Sequence, residues 1–168
     1  MNYIRIRITF FFLVSILMIQ GAHAQQQIEV GGMFISWSFE GEQLKMELTA
    51  PNDGWVAVGF NHKNDIKDTH LLMFTYENGN SLINDLYVKA AGNPVPVEQV
   101  FKEKAELSYQ CAEKGKTTKV SFTIDTASYP DYSTSIKKGT KLWLICAFSE
   151  DDDFAHHSMM RKHVEVTL

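Results

Sequence analysis

Apolar and polar residues alternate at every second position over much of the chain after residue 32, which predicts β-strands. The segments Met33 to Phe39 and Leu44 to Leu48 alternate in this way, and Gly41 lies in the short connection of the resulting hairpin. Seven further short strands are predicted: Trp55–Phe60, Leu71–Tyr76, Ile83–Val88, Val95–Val100, Lys119–Ile124, Leu142–Phe148 and His163–Leu168. A helical period is weak throughout, with at most a turn or two between Gln99 and Ala112. Many short strands at close spacing predict an all-β fold, a single antiparallel sandwich or barrel.

The first 24 residues show a different pattern, which is typical of a secretory signal peptide. Two arginines precede an apolar run from Ile8 to Ile19, and the segment AHA at 22–24 places small residues where a signal peptidase cleaves. We therefore expect cleavage before Gln25 and one mature domain over residues 25–168, in the periplasm or secreted. The apolar run is too short to span a bilayer comfortably, so the mature chain is not expected to cross a membrane. No cysteine marks a lipid anchor at the cleavage point.

Composition excludes some partners and leaves the state of the cysteines open. The 168 residues carry a formal net charge of -4, and no basic stretch alternates with aromatic residues, so we expect no nucleic-acid binding. An oxidising compartment favours a disulfide between Cys111 and Cys146. However, Cys146 lies in the apolar run LWLICAF at 142–148, where a free thiol packs as a small hydrophobic group. Both alternatives stay open.

The residues with the most distinctive chemistry fall in two polar segments. NHKNDIKDTH occupies positions 61–70 and DDDFAHHSMMRKH occupies positions 151–163, and together they hold five of the six histidines. Imidazole with thioether suits heme iron or copper, and imidazole with carboxylate suits zinc or iron. In an extended chain the adjacent His156 and His157 point to opposite sides, so one of them can face a pocket. The alternative is a pair of solvated polar loops.

No common catalytic motif accompanies these histidines. The sequence lacks a Gly-x-Ser-x-Gly nucleophile motif, an HExxH zinc motif, a phosphate-binding loop and a dinucleotide-binding glycine pattern. We therefore expect a binding domain rather than catalysis by this chain alone.

Four segments in a fixed order resemble one family. GWVAVGFN at 54–61 follows a hairpin, the strand segment 68–76 and NDLYV at 84–88 come next, and DDFAHHS at 152–158 precedes the last strand. Over roughly residues 28–168 the chain resembles the DOMON domain, and especially small secreted bacterial DOMON proteins. The resemblance implies an immunoglobulin-like β-sandwich with a ligand pocket at one side. It also implies binding of heme b or of sugars, often in extracytoplasmic redox systems.

The resemblance also implies a set of site residues. Heme-binding members use a methionine after the Gly-Trp strand and a histidine in the late loop as axial ligands. His157 matches the late ligand, with His156 as the alternative, whereas the methionine position falls on Ile66, which cannot bind iron. The candidates for the other ligand are His70, Met73 and His62. A shared metal ion would be bound by His157 and His70. The expected pocket lining is Trp55, Phe74 and Phe154, and Arg161 would pair with a heme propionate or with Asp152 or Asp153.

Three functions follow from these expectations. The first is heme b binding with extracytoplasmic electron transfer to a redox partner protein in the membrane or periplasm. The second is a non-heme binding module for a small molecule such as a sugar or a phenolic ligand, or for a divalent metal. The third is a structural or partner-docking domain whose histidines only satisfy hydrogen bonds within the loops.

Overall fold

The computed structural model describes residues 25–132 and 134–168 and contains eleven antiparallel strands in two sheets. The first sheet has the order β1-β2-β3-β9-β8, and the second has the order β11-β10-β4-β5-β6-β7. This arrangement confirms the predicted all-β antiparallel sandwich. The strands are β1 (Gln26–Val30), β2 (Met33–Glu40), β3 (Gln43–Ala50), β4 (Val56–Asn61), β5 (His70–Glu77), β6 (Asn80–Ala90), β7 (Asn93–Pro96), β8 (Leu107–Glu113), β9 (Thr118–Asp125), β10 (Lys141–Phe148) and β11 (Met160–Thr167).

The main core lies between the two sheets. Alternate side chains of β2, β3 and β9 face alternate side chains of β4, β5 and β10, as the period of two requires. Phe74 of β5 stacks on Phe122 of β9 with ring centroids 5.2 Å apart. Phe74 was expected to line a pocket, but its even spacing from the buried Leu72 places it on the inner face of the strand. Each such side chain, when fully buried, stabilises the folded state by about 1.5–3 kcal/mol relative to leaving it exposed.

Three strands differ from the sequence-based expectation. The structure contains β1, which was not predicted, and it forms β8 over most of the second half of the segment where a short helix was considered. The strand predicted at Val95–Val100 is wrong beyond Pro96, where β7 ends and a single turn of 3-10 helix covers Val97–Gln99. Both β1 and β8 lie at edges of the first sheet, and most of their residues are exposed or half-buried. An edge strand therefore carries a weaker alternation of apolar residues than a central one.

Both cysteines are free and buried. Cys146 lies in the core on β10, and burial raises the pKa of its thiol to about 12. Cys111 lies on β8, where burial and the nearby carboxylate of Glu113 raise the pKa of its thiol to about 12. Of the two alternatives left open by the sequence, the structure shows two thiols that pack as small hydrophobic groups.

The outer face of the second sheet carries its own apolar cluster. Ala147, Ala57 and Met73 are direct neighbours across β10, β4 and β5, and Trp55 packs with them. Small side chains at the centre leave a depression between the neighbouring loops, which positions the candidate site. Within the part of the chain that the structure describes, no helix is long and apolar enough to cross a membrane.

Candidate functional site

A cavity of about 200 Å³ lies on this outer face. Its floor includes Ala57, Ala147 and Met73, and two loops contribute to its walls. We call residues 62–69 the early loop and residues 149–159 the late loop. The lining residues are Trp55, Ala57, Ile66, Leu71, Met73, Val88, Gly92, Pro94, Ile145, Ala147, Phe154, His156 and Arg161. The two polar segments of the sequence therefore meet at one apolar cavity.

The early loop is shaped by a buried asparagine at its start. The amide nitrogen of Asn61 lies 2.7 Å from the carbonyl oxygens of Asp65 and Lys67, and 2.9 Å from Oγ1 of Thr69. Thr69 in turn covers Gly59, where an added Cβ would lie only 2.4 Å from the threonine methyl group. These contacts fold the loop over the sheet, with Ile66 half-buried in the cavity wall.

The late loop begins in close contact with the Gly-Trp segment. A Cβ added to Gly54 would lie 2.3 Å from the carbonyl oxygen of Ser149 and 2.4 Å from the backbone nitrogen of Asp151. The backbone N–H of Trp55 donates to the carbonyl of Asp151 at 3.1 Å, and the N–H of Ser149 donates to the carbonyl of Trp55 at 3.0 Å. Only glycine fits at position 54 without displacing this backbone.

The far side of the late loop is tied to β5. The hydroxyl of Thr75 donates to a carboxylate oxygen of Asp152 at 2.5 Å. Because Thr75 lies two residues after Met73, it points to the same outer face as the cavity floor. The late loop is thus hydrogen-bonded both to Trp55, just before β4, and to Thr75 of β5.

His156 presents one ring nitrogen for binding. Its Nδ1 lies 3.0 Å from Oγ of Ser149 and 3.2 Å from the carbonyl oxygen of His157. A carbonyl oxygen only accepts hydrogen bonds, so the contact with His157 is a hydrogen bond when Nδ1 carries a proton. In the neutral ring Nε2 then carries the lone pair, and no hydrogen bond to Nε2 is found among the described residues. The ring is exposed and lines the cavity.

His70, by contrast, lies on the inner face of β5, away from the cavity. It is fully buried, with Nε2 at 2.8 Å from a carboxylate oxygen of Asp85 and Nδ1 at 2.5 Å from the hydroxyl of Tyr129. Both ring nitrogens therefore have partners. Burial raises the pKa of Tyr129, with smaller contributions from Tyr132 and Asp85, so its phenol is neutral and donates to Nδ1.

The remaining histidines do not line the cavity. His62 and His157 are exposed, and His157 contributes only its carbonyl oxygen to the contacts of His156. Nδ1 of His163 lies 2.8 Å from the side-chain oxygen of Asn64 in the early loop. Burial, with the charge of Arg161, lowers the pKa of His163. The structure thus brings His156, rather than His157 or His70, to the cavity.

Three expected lining residues do reach the cavity: Trp55, Phe154 and Arg161. The guanidinium of Arg161 donates to Oγ of Ser158 at 3.3 Å, and no bond to the two expected aspartates is found among the described residues. Nε1 of Trp55 is buried without a hydrogen-bond partner among the described residues. A buried donor of this kind is uncommon, and at a cavity it can serve an acceptor atom of a ligand.

The sequence alone does not single out Ser149 or Tyr129, which determine the environments of His156 and His70. Ser149 directly follows a predicted strand, and Tyr129 lies in a loop between strands. Their positions beside the histidines arise from contacts between segments distant in sequence. A polar residue at the first position after an apolar strand is the only sequence feature that points to Ser149.

Comparison with known proteins identifies the family. The DOMON domain family model matches residues 29–149, and the chain belongs to that family. No curated protein matches the chain. The cytochrome b domain of pyranose dehydrogenase from Coprinopsis cinerea aligns with a TM-score of 0.61 at 10% identity, covering 79% of this chain and 76% of that one. The cytochrome domain of cellobiose dehydrogenase from Myriococcum thermophilum aligns with a TM-score of 0.58 at 10% identity, covering 86% and 81%. At this identity the likeness shows the shared fold.

Proposed function

We propose that this chain is a heme b-binding domain for electron transfer, with His156 and Met73 as the iron ligands. One observation carries the proposal: a single apolar cavity is lined by both Met73 and His156, and Nε2 of His156 has no hydrogen-bond partner among the described residues. Imidazole and thioether are the ligand pair of many one-electron heme proteins. Membership of the DOMON family and the likeness to two cytochrome domains support the same reading.

The other residues of the cavity also fit a heme. Trp55, Phe154 and Leu71 offer apolar surface to a porphyrin, and the guanidinium of Arg161 can pair with a propionate carboxylate. Heme would supply reversible one-electron exchange at its iron. The chain's residues would exclude water from the iron and, through the choice of ligands and their burial, adjust its reduction potential.

The proposal includes an exported location and a protein partner. The predicted signal peptide lies outside the described residues, and it agrees with a domain that exchanges electrons with a periplasmic or membrane redox protein. The late loop is the side from which that partner would approach, because the ring of His156 is exposed there.

Absorption spectra with matched variants test the heme site. The wild type, exported and purified under heme-replete conditions, should show a Soret band and, after dithionite reduction, sharp α and β bands. His156→Ala should lose the six-coordinate spectrum, while His157→Ala, a change at the adjacent exposed histidine, should retain it. Met73→Leu should also lose it, and Met159→Leu, at a methionine that is 56% exposed, should not. A colourless wild type that binds no added hemin would refute the proposal.

A second candidate function rests on the size of the cavity. Small-molecule pockets commonly measure about 300–1,000 Å³, and the volume here is about 200 Å³. Together with the unpaired Nε1 of Trp55, this favours a small aromatic ligand with an acceptor oxygen, such as a phenolic compound. The thermal unfolding temperature should then rise with added phenolic acids in the wild type and less in Trp55→Phe. No such rise, together with hemin binding, would exclude this candidate.

A further inference from the structure

We infer that Ser149 is a positioning residue that holds His156 in the Nδ1–H tautomer, so that the site accepts a Lewis-acidic metal centre as its ligand. The tautomer follows from contacts within this chain. The class of ligand rests on the proposed function, since it assigns a metal centre to the same cavity.

Ser149 is itself held firmly. The residue is fully buried at the start of the late loop. Its N–H donates to the carbonyl of Trp55 at 3.0 Å, and its carbonyl accepts a hydrogen bond from the side-chain amide of Asn52 at 3.0 Å. With both backbone groups bonded to the turn before β4, the position of Oγ is determined by the fold rather than by the exposed part of the loop.

The hydrogen bonds of the Ser149 hydroxyl leave one consistent assignment. The hydroxyl has one proton to donate and two lone pairs to accept. The carbonyl of His157, 3.2 Å away, can only accept and therefore takes the proton. The backbone N–H of Asp151, also at 3.2 Å, occupies one lone pair. The second lone pair remains for Nδ1 of His156 at 3.0 Å, which must therefore donate.

A second contact of His156, with the carbonyl oxygen of His157, requires the same assignment. Nδ1 of His156 lies 3.2 Å from the His157 carbonyl, and that contact also requires a proton on Nδ1. Two acceptors thus fix the same tautomer and leave the lone pair on Nε2. Hydrogen bonds of this type orient metal-binding histidines and raise their basicity, and their loss commonly costs about 10- to 100-fold in metal affinity.

The surroundings of Nε2 favour a metal centre over a sugar. A sugar presents many hydroxyl groups, each of which needs a polar partner on burial. The cavity lining is mainly apolar, and it includes Met73, whose thioether is a ligand for soft or borderline metals. An imidazole and a thioether that line one cavity are matched by heme iron or by a copper ion.

Nitrogen-15 NMR of the ligand-free protein tests the tautomer directly. The imidazole of His156, assigned by comparison with His156→Ala, should show the Nδ1–H tautomer in the wild type. Ser149→Ala should shift the population toward Nε2–H, and Ser158→Ala, at another serine of the same loop, should not. A wild type with predominantly Nε2–H would overturn the assignment, and this measurement does not depend on how well any Ser149 variant folds.

Titration with hemin, and separately with Cu⁺ and Zn²⁺, tests the ligand class. Ser149→Ala should bind hemin about 10- to 100-fold more weakly than the wild type, and Ser158→Ala should bind it equally well. Equal affinity and equal reduction potential in Ser149→Ala would overturn the positioning role. If the wild type has the Nδ1–H tautomer but binds only a metal ion and no hemin, the proposed heme function is refuted. The inference about Ser149 and a metal centre then stands. If it binds neither hemin nor a metal ion, the ligand class is wrong.

Discussion

His70 and Met73 lie on the same strand, β5, and point to opposite faces of the second sheet. His70 is fully buried between the sheets, whereas Met73 forms part of the cavity floor on the outer face. Their separation by an odd number of positions produces this opposition in any regular strand. Both residues are candidate ligands in the sequence, but a metal centre in the cavity can reach only Met73.

The interior role of His70 predicts a stability effect without a binding effect. Tyr129→Phe removes the hydroxyl that donates to Nδ1 of His70 and leaves a buried nitrogen unpaired. We expect a loss of about 1–3 kcal/mol in the free energy of unfolding, measured in urea, with unchanged hemin affinity. Tyr109→Phe, at a ring that is 38% exposed, is the control and should have little effect. Loss of hemin binding in Tyr129→Phe alone would show that this network serves the site.

Ile66 and Met73 line the same cavity, which predicts that a thioether can be moved between them. Met73→Leu keeps the volume of the side chain but removes the sulfur, so the reduced heme should lose its six-coordinate spectrum. Adding Ile66→Met should restore it, because the family's methionine position falls on residue 66. Visible spectra of the single and double variants provide the measurement. A double variant no better than Met73→Leu would contradict a cavity-facing role for residue 66.

Gly54→Ala should destabilise the protein and disturb the late loop together. Its new Cβ would meet the backbone of residues 149–151. We therefore expect the free energy of unfolding to fall by about 1–3 kcal/mol or more and hemin to bind more weakly. Gly41→Ala is the control, because its surroundings are open and only its positive φ of 59° carries a cost, about 1–2 kcal/mol. Urea unfolding and hemin titration distinguish the two. Equal effects of both substitutions on binding would argue against contact between position 54 and the site.

Glu113 predicts a pH-dependent change in stability. Burial and the nearby carboxylates of Asp152 and Asp53 raise the pKa of Glu113 above its usual value in the unfolded chain. Because the pKa of Glu113 is raised in the folded state, the stability that this group contributes is fully present below its unfolded-state pKa. That stability is lost as the pH rises through the folded-state pKa.

Glu113→Gln should therefore stabilise the protein at neutral pH, and the difference should vanish below about pH 4. Thr118 can still donate to the amide oxygen of the new side chain, as it does to the carboxylate at 3.3 Å. Urea unfolding at several pH values provides the measurement, with Glu106→Gln as the exposed control. Stabilisation that persists unchanged at low pH would rule out relief of carboxylate repulsion as the cause.

Central strands were predictable because their two faces differ in environment. In β2 the buried and more exposed positions alternate from Met33 to Glu40, and the same pattern is visible in the sequence. In β8 only Cys111 is buried, so the alternation that marks a strand is nearly absent. Pairing with β9 supplies the strand conformation of β8 through backbone hydrogen bonds, which the side chains do not reveal.

The two loops of the site were predictable, but the orientation of their side chains was only partly so. The period of two along β5 already groups His70 with Leu72 and Phe74, and this grouping could have identified it as an inward residue. The choice between His156 and His157 could not be read in the same way. It depends on Ser149, whose position is determined by contacts with residues near position 54, almost a hundred residues earlier.

Asn61 has a consequence for how this cavity can evolve. Its side chain shapes the early loop through the carbonyl oxygens of Asp65 and Lys67 and the hydroxyl of Thr69, and none of these bonds involves the side chain of Ile66. Position 66 can therefore change identity while the wall that carries it keeps its shape. A single codon change there could alter what the cavity holds at little cost to stability, so selection can exchange the ligand chemistry of this domain without rebuilding its fold.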